Sequence, residues 1–177
     1  MEKCIRRFEM VHVSEAYLSW LNDPEVVKYM STWSTTYTFD ELVEYARKTI
    51  ASDKNHMFAI FAGEMHIGNV KLSVNTTHHY ADVGIMVGSK EHWGRGYAKR
   101  AISEVVDHAF KELKLKKLTA GMVITNRRSL GAFLSNNFQI EGYRRSHWQF
   151  AAGRSDYVEL GLLRTEWNDE RSGGMEP

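Results

Sequence analysis

The chain has 177 residues, enough for one domain to bury a core without help from disulfides or metals. Its 23 Lys and Arg nearly cancel its 22 Asp and Glu, and a net charge of +1 argues against a broad surface for nucleic acid or anionic membrane, so any phosphate site must be local. The single cysteine, Cys4, cannot form an internal disulfide, and no stretch reaches the about 18 apolar residues of a membrane span or shows the apolar core of a secretion signal; a cytoplasmic protein is expected.

In chain order, residues 4 to 8 read as a short strand, and Ser14 as the N-cap of a helix carrying Tyr17, Leu18 and Leu21. Asn22-Asp23-Pro24 ends that helix, and an aromatic loop follows. Thr38 with Glu41 forms a capping box, after which Phe39, Leu42, Val43, Ala46 and Ile50 draw one face of a second helix. Residues 57–62 and 65–72 suit two strands joined by a turn at Gly63-Glu64, and residues 80–87 suit a third. After a glycine-rich segment, Ala98, Ala101, Ile102, Val105, Ala109, Phe110 and Leu113 recur at helical spacing. Residues 118–124 alternate like a strand and residues 129–135 read as a short helix. Residues 138–150 and 157–163 form a closing hairpin around Gly153. This order excludes an all-parallel alternating sheet. It points to an α+β fold with a mixed central sheet of about seven strands flanked by about four helices. One domain is expected over residues 1–167, with residues 168–177 a disordered tail.

The most informative stretch is VGSKEHWGRGYAKRA, residues 87 to 101, where a strand runs through a glycine pair into an amphipathic helix. Gly94 and Gly96 let backbone N–H groups approach a ligand, and the helix adds its unpaired N-terminal donors and positive dipole end, so phosphate is the natural guest. The Walker pattern requires Gly-Lys-Ser/Thr, absent here, and the dinucleotide fingerprint requires a third glycine where Lys99 stands.

This segment resembles the GNAT acetyltransferases, whose pyrophosphate-binding motif is Gln/Arg-x-x-Gly-x-Gly/Ala; here it reads Trp93-Gly94-Arg95-Gly96-Tyr97-Ala98, with Trp93 replacing the usual polar residue. NRRSLGAFLSNNF, residues 126 to 138, resembles the family's Asn-x-x-Ser...aromatic...Gly-Phe segment, with Asn137 in place of the glycine. LNDPEVVKYM (21 to 30) and GNVKL (68 to 72) extend the likeness toward the ribosomal-protein-acetyltransferase-like (RimJ/RimL) branch. The resemblance implies a single-domain GNAT fold, acetyl-coenzyme A as acyl donor with no metal, and a homodimer. It further implies that Trp93 to Lys99, Asn126, Ser129 and Phe133 hold the cofactor. The pantetheine arm would pair like an extra strand along Ile85, Met86 and Val87, one of whose N–H groups would stabilise the developing oxyanion.

A lysine-like amine is only about one part in 10³ neutral at pH 7, so attack on a thioester needs a route for its proton. Asp82, two residues before Gly84 on the cofactor strand, is the candidate base; its alternative is an ordinary strand-edge salt bridge. His78 and His79 are adjacent and point to opposite faces if extended, so they do not suit one metal. Many family members carry, where Phe133 stands, a tyrosine whose phenol protonates the departing thiolate; Phe133 cannot. By the same resemblance the acceptor pocket draws on Trp33, Tyr37, His147, Trp148, Asp156 and Tyr157. The favoured acceptor is a small-molecule amine, an amino sugar either free or nucleotide-linked. A protein N-terminus, polyamines and aminoglycosides are the enzymatic alternatives, and a non-catalytic acyl-coenzyme A-binding module is the alternative of another class.

Overall fold

A computed structural model describes residues 3–150 and 153–167 of the chain; the expected tail lies outside the described residues. Among the described residues seven strands form one sheet in the order β1-β2-β3-β4-β5-β7-β6. They are β1 (Ile5–Arg7), β2 (Asn55–Ala62), β3 (Met65–Asn75), β4 (Tyr80–Val87), β5 (Lys117–Val123), β6 (Gln139–Phe150) and β7 (Gly153–Leu163). Of these pairings β4–β5 is parallel and the others are antiparallel. Among the described residues the helices are α1 (Glu15–Leu21), α2 (Pro24–Val27), α3 (Phe39–Ile50), α4 (Tyr97–Lys111) and α5 (Arg127–Leu134). None is long and apolar enough to cross a membrane.

Period-two alternation divides the apolar residues between two cores. On β2, Met57, Ala59 and Phe61 face α1 and α3 and pack with Tyr17, Trp20, Leu42 and Ala46, while Ile60 faces the opposite core. That larger core takes Ala81 and Val83 of β4, the apolar face of α4 from Ala101 to Phe110, and Phe133 of α5. Asp82, Gly84 and Met86 therefore lie on the α1/α3 face of β4.

The expected caps are in place. Ser14 accepts a hydrogen bond from the Tyr17 N–H, and Thr38 and Glu41 complete their capping box. Asn22-Asp23-Pro24 ends α1 as expected but also opens α2. Asp23 caps it by accepting from the Glu25 N–H, and Pro24 fits the first helical position, where its fixed φ is helical and its missing N–H costs nothing. β2 begins at Asn55 and β3 continues to Asn75, beyond the apolar alternation, because polar residues on one face pair across the strands: Asn55 opposes Ser73, which opposes Asp82.

β1 is held to α4 by one carboxylate. Glu104, whose side chain is 10% exposed, accepts hydrogen bonds from the backbone N–H groups of Cys4 (2.9 and 3.0 Å) and Ile5 (3.1 Å) and pairs with Arg100 at 3.2 Å. Glu104→Ala would leave two backbone donors without a partner, each worth about 1–3 kcal/mol when buried. Urea denaturation should show a loss of about 2 kcal/mol or more, while Glu104→Gln, which keeps an acceptor, should lose less.

Candidate active site

The sheet opens where function would need it. β4 and β5 pair only through Tyr80, Ala81 and Asp82 against Lys117, Leu118 and Thr119. Beyond Asp82 and Thr119 the two strands part, β4 running to Val87 and β5 to Val123, each still paired with its outer neighbour. Along one arm the fork exposes main-chain groups of Ile85 and Val87, while those of Met86, between them, point to β3.

At the end of that arm a 3₁₀ turn (Lys90–His92) leads into the glycine loop. Gly94 (φ +74°) and Gly96 (φ +83°) both adopt left-handed backbone. A Cβ at either would meet open space, so their dihedrals and not crowding call for glycine. The first backbone bond of α4 runs from the Arg100 N–H to the Gly96 carbonyl at 3.0 Å, and among the described residues the N–H groups of residues 94 to 99 donate to no protein acceptor. Six donors at a helix N-terminus make a site for an anion.

Trp93 braces this loop rather than offering it a polar contact: its indole N–H donates to the Val87 carbonyl at 2.7 Å. Tyr97 packs edge-on against His92, which is hydrogen-bonded to Ser89 at 2.8 Å. Arg128 of α5 places its guanidinium 5.5 Å from the Trp93 ring centroid, bringing a cation beside the loop. Sequence reasoning missed Arg128, whose only sign was a basic residue inside the Asn-x-x-Ser segment. Arg95 and Lys99 are exposed and Ala98 is half-buried.

Asn126 spends its side-chain oxygen on capping α5, accepting from the Ser129 N–H at 3.3 Å. Phe133 does not reach the open surface of the fork. It is 2% exposed and packs edge-on against Phe138 within the core, where its ring stabilises the fold.

Asp82 stands at the vertex of the fork. Thr119 donates its hydroxyl to Asp82 Oδ2 at 3.1 Å, and Asn55, Ser73, Asp82 and Thr119 form a polar row across four strands. Solvent reaches the carboxylate, yet it sits low in a concavity walled by protein. That partial desolvation raises its pKa above the ordinary carboxylate value, against the opposing effects of the Thr119 hydroxyl and of Lys71. A cavity of about 380 Å³ borders it, lined also by Lys54, Asn55, Ser73, Asn75 and Tyr80. His78 and His79 lie in the β3–β4 turn, where the His78 N–H donates to Asn75 Oδ1 at 2.9 Å.

Four of the acceptor-pocket residues come together in an aromatic shelf. Trp148 stacks on Tyr157 (5.8 Å, 21°) and on Phe150 (6.2 Å, 17°), Phe150 meets Trp33 at 6.3 Å, and His147 lies 5.8 Å from Tyr157. Phe150, the link between loop and hairpin, was not among the expected pocket residues. Tyr37 makes no ring contact with this shelf among the described residues; its backbone is tied to the Asn22 side chain by two bonds of 2.8 Å. Asp156 also departs from expectation. Its carboxylate accepts from the Ser146 N–H at 2.7 Å and holds Ser146 in left-handed backbone (φ +50°) where β6 bulges, so it braces the hairpin.

The Thr119 hydroxyl favours the ionised form of Asp82. Thr119→Val should therefore raise the Asp82 pKa further above its already elevated value, a shift that carboxyl-carbon NMR titration of the two proteins would detect; an unchanged midpoint would show that the bond is not formed in solution.

The sequence matches the Acetyltransferase (GNAT) domain family over residues 4–139. The spermidine N(1)-acetyltransferase of Vibrio cholerae is 29% identical over 132 residues, 73% of this chain and 76% of the relative. Acetyltransferase PseH of Campylobacter jejuni is 24% identical over 146 residues, 82% and 89% of the two chains. The crystal structure of the Vibrio cholerae spermidine N-acetyltransferase in complex with CoA and spermine shares the fold, with a TM-score of 0.82 at 24% identity over 92% of this chain and 95% of that one. The matched family region contains the vertex of the fork, the glycine loop and the start of α5, and the chain belongs to the GNAT acetyltransferase family, an acetyltransferase enzyme with one GNAT-fold domain.

Proposed function

We propose that the protein transfers acetyl from acetyl-coenzyme A directly to a primary amine of a small molecule. The carrying observation is the fork and the glycine loop on one strand: unpaired main-chain groups suited to an extended amide chain end at six free N–H groups suited to phosphates. Residues 94 to 99, with Arg128 beside them, would hold the pyrophosphate, and Ile85, Met86 and Val87 would align the arm. Asp82, at the vertex, takes the ammonium proton; its raised pKa brings it closer to the neutral range in which a base is most effective.

The favoured acceptor is an amino sugar, because the shelf of Trp33, Phe150, Trp148 and Tyr157 offers flat apolar faces to sugar C–H groups. A polyamine is the second reading, supported by the spermidine-acetylating relative and by the carboxylate of Asp82. Two further carboxylates, Glu141 and Glu159, are already paired with Lys117 and Arg144. They offer a long cationic chain less than their number suggests.

Thiol release from acetyl-coenzyme A across amino sugars, sugar nucleotides, polyamines and short peptides tests the reading. If every sugar fails at millimolar concentration while a polyamine or a peptide α-amine is acetylated, the sugar assignment is wrong. Gly96→Val forces a branched residue into left-handed backbone and should weaken acetyl-coenzyme A binding about tenfold or more by calorimetry, with the circular dichroism of the fold retained. Trp148→Ala or Trp33→Ala should raise the acceptor KM several-fold and leave acetyl-coenzyme A affinity unchanged, since neither ring lies at the glycine loop.

A further inference from the structure

α5 brings no phenol to the fork, because Phe133 is a core residue. A phenol reaches the fork from another element. Tyr157 on β7 leans back across β5 until its hydroxyl lies over Gly121, so closely that a Cβ added there would collide with it. Gly121 is on the free arm of β5, two residues beyond Thr119, and alternation places both on the face of the sheet that carries Asp82. The ring is fixed from behind by the stacked Trp148 and by His147, each 5.8 Å away. Half-buried, it presents its hydroxyl at the mouth of the fork.

The geometry points to Tyr157 as the group that protonates the departing thiolate, a role that rests on the acetyl-transfer reading above. Asp82 takes the ammonium proton and passes it to solvent. The freed nitrogen bonds to the carbonyl carbon, the carbon–sulfur bond breaks, and the phenol proton goes to sulfur. The proton shed by the new amide nitrogen returns to the phenolate by way of Asp82 and water in the fork. The sum is one amide, one thiol and one proton released.

The charges that bear on the phenol come from three strands: Asp82 on β4, Glu159 on β7 and Arg144 on β6. Burial first, then the two carboxylates, push the Tyr157 pKa above its ordinary value, with Arg144 opposing them. The phenol therefore stays protonated at neutral pH, as a proton donor must. Gly121 is the necessary companion, because any side chain there would displace the hydroxyl.

The test uses the best acceptor from the amine panel with two donors, acetyl-coenzyme A and its selenoester analogue, whose selenolate leaves without protonation. Tyr157→Phe keeps the stacked ring and should lower kcat with the thioester about tenfold or more, with acetyl-coenzyme A affinity unchanged, while the deficit with the selenoester should shrink to about twofold or less. Gly121→Ala, which pushes the hydroxyl aside without removing it, should give the same donor-dependent pattern. A deficit equal for both donors would make Tyr157 a support for Trp148, and an unchanged kcat would remove it from the reaction; either overturns the assignment. Wild-type protein that releases no thiol with any amine would instead overturn the acetyl-transfer reading itself, and this role with it.

Discussion

The structure turns on a short seam at the centre of the sheet. β4 is bound to β3 along its whole length and β5 to β7 along its whole length, and each strand turns its other hydrogen-bonding edge toward the seam. The parallel contact between them lasts three residues. Sheet twist rotates neighbouring strands relative to one another, and a seam so short does not hold β4 and β5 together past Asp82 and Thr119. The vertex carboxylate, the free arm of β4 and the open face of Gly121 all follow from that division.

In the proposed reading the fork also separates two kinds of recognition. On the loop side the protein offers backbone: N–H groups set by two left-handed glycines and by the first turn of α4. Such donors depend little on side-chain identity, and a chain of modest identity to its relatives can keep them. On the other side, Trp33 comes from a loop and His147, Trp148 and Tyr157 from the bulged β6–β7 hairpin, and there recognition rests on side chains. Membership of the family therefore speaks to the chemistry of transfer far more than to the identity of the acceptor.

What the sequence revealed divides along a similar line. The Thr38–Glu41 capping box, the apolar stripe of α4 and the glycine pair before it were legible because each is a local pattern: a cap, a period or a dihedral requirement. The Phe133 ring, the Asp156 carboxylate and the Arg128 guanidinium were not, because their surroundings depend on how distant elements pack. Asp156 reads as a free charge until the β6–β7 register puts the Ser146 N–H 2.7 Å from it. Gly121 reads as an ordinary strand glycine until the pairing of Val123 with Tyr157 brings a hydroxyl over it.

A sheet with an open seam through its middle is thermodynamically unfinished. Apart from the Val87 carbonyl, which accepts from the Trp93 indole, the facing edges of β4 and β5 beyond the vertex take their hydrogen bonds from water, so amide exchange there should be faster than in the outer pairs of the same strands. Any extended molecule that bridges the seam acts as a temporary strand and binds only the folded chain. At about a hundredfold excess over its Kd such a guest adds about 2.7 kcal/mol to the folding free energy, a sizeable share of what holds a domain of this length together. The protein's resistance to heat and to proteases would then rise and fall with the supply of that guest, coupling its lifetime in the cell to metabolic state.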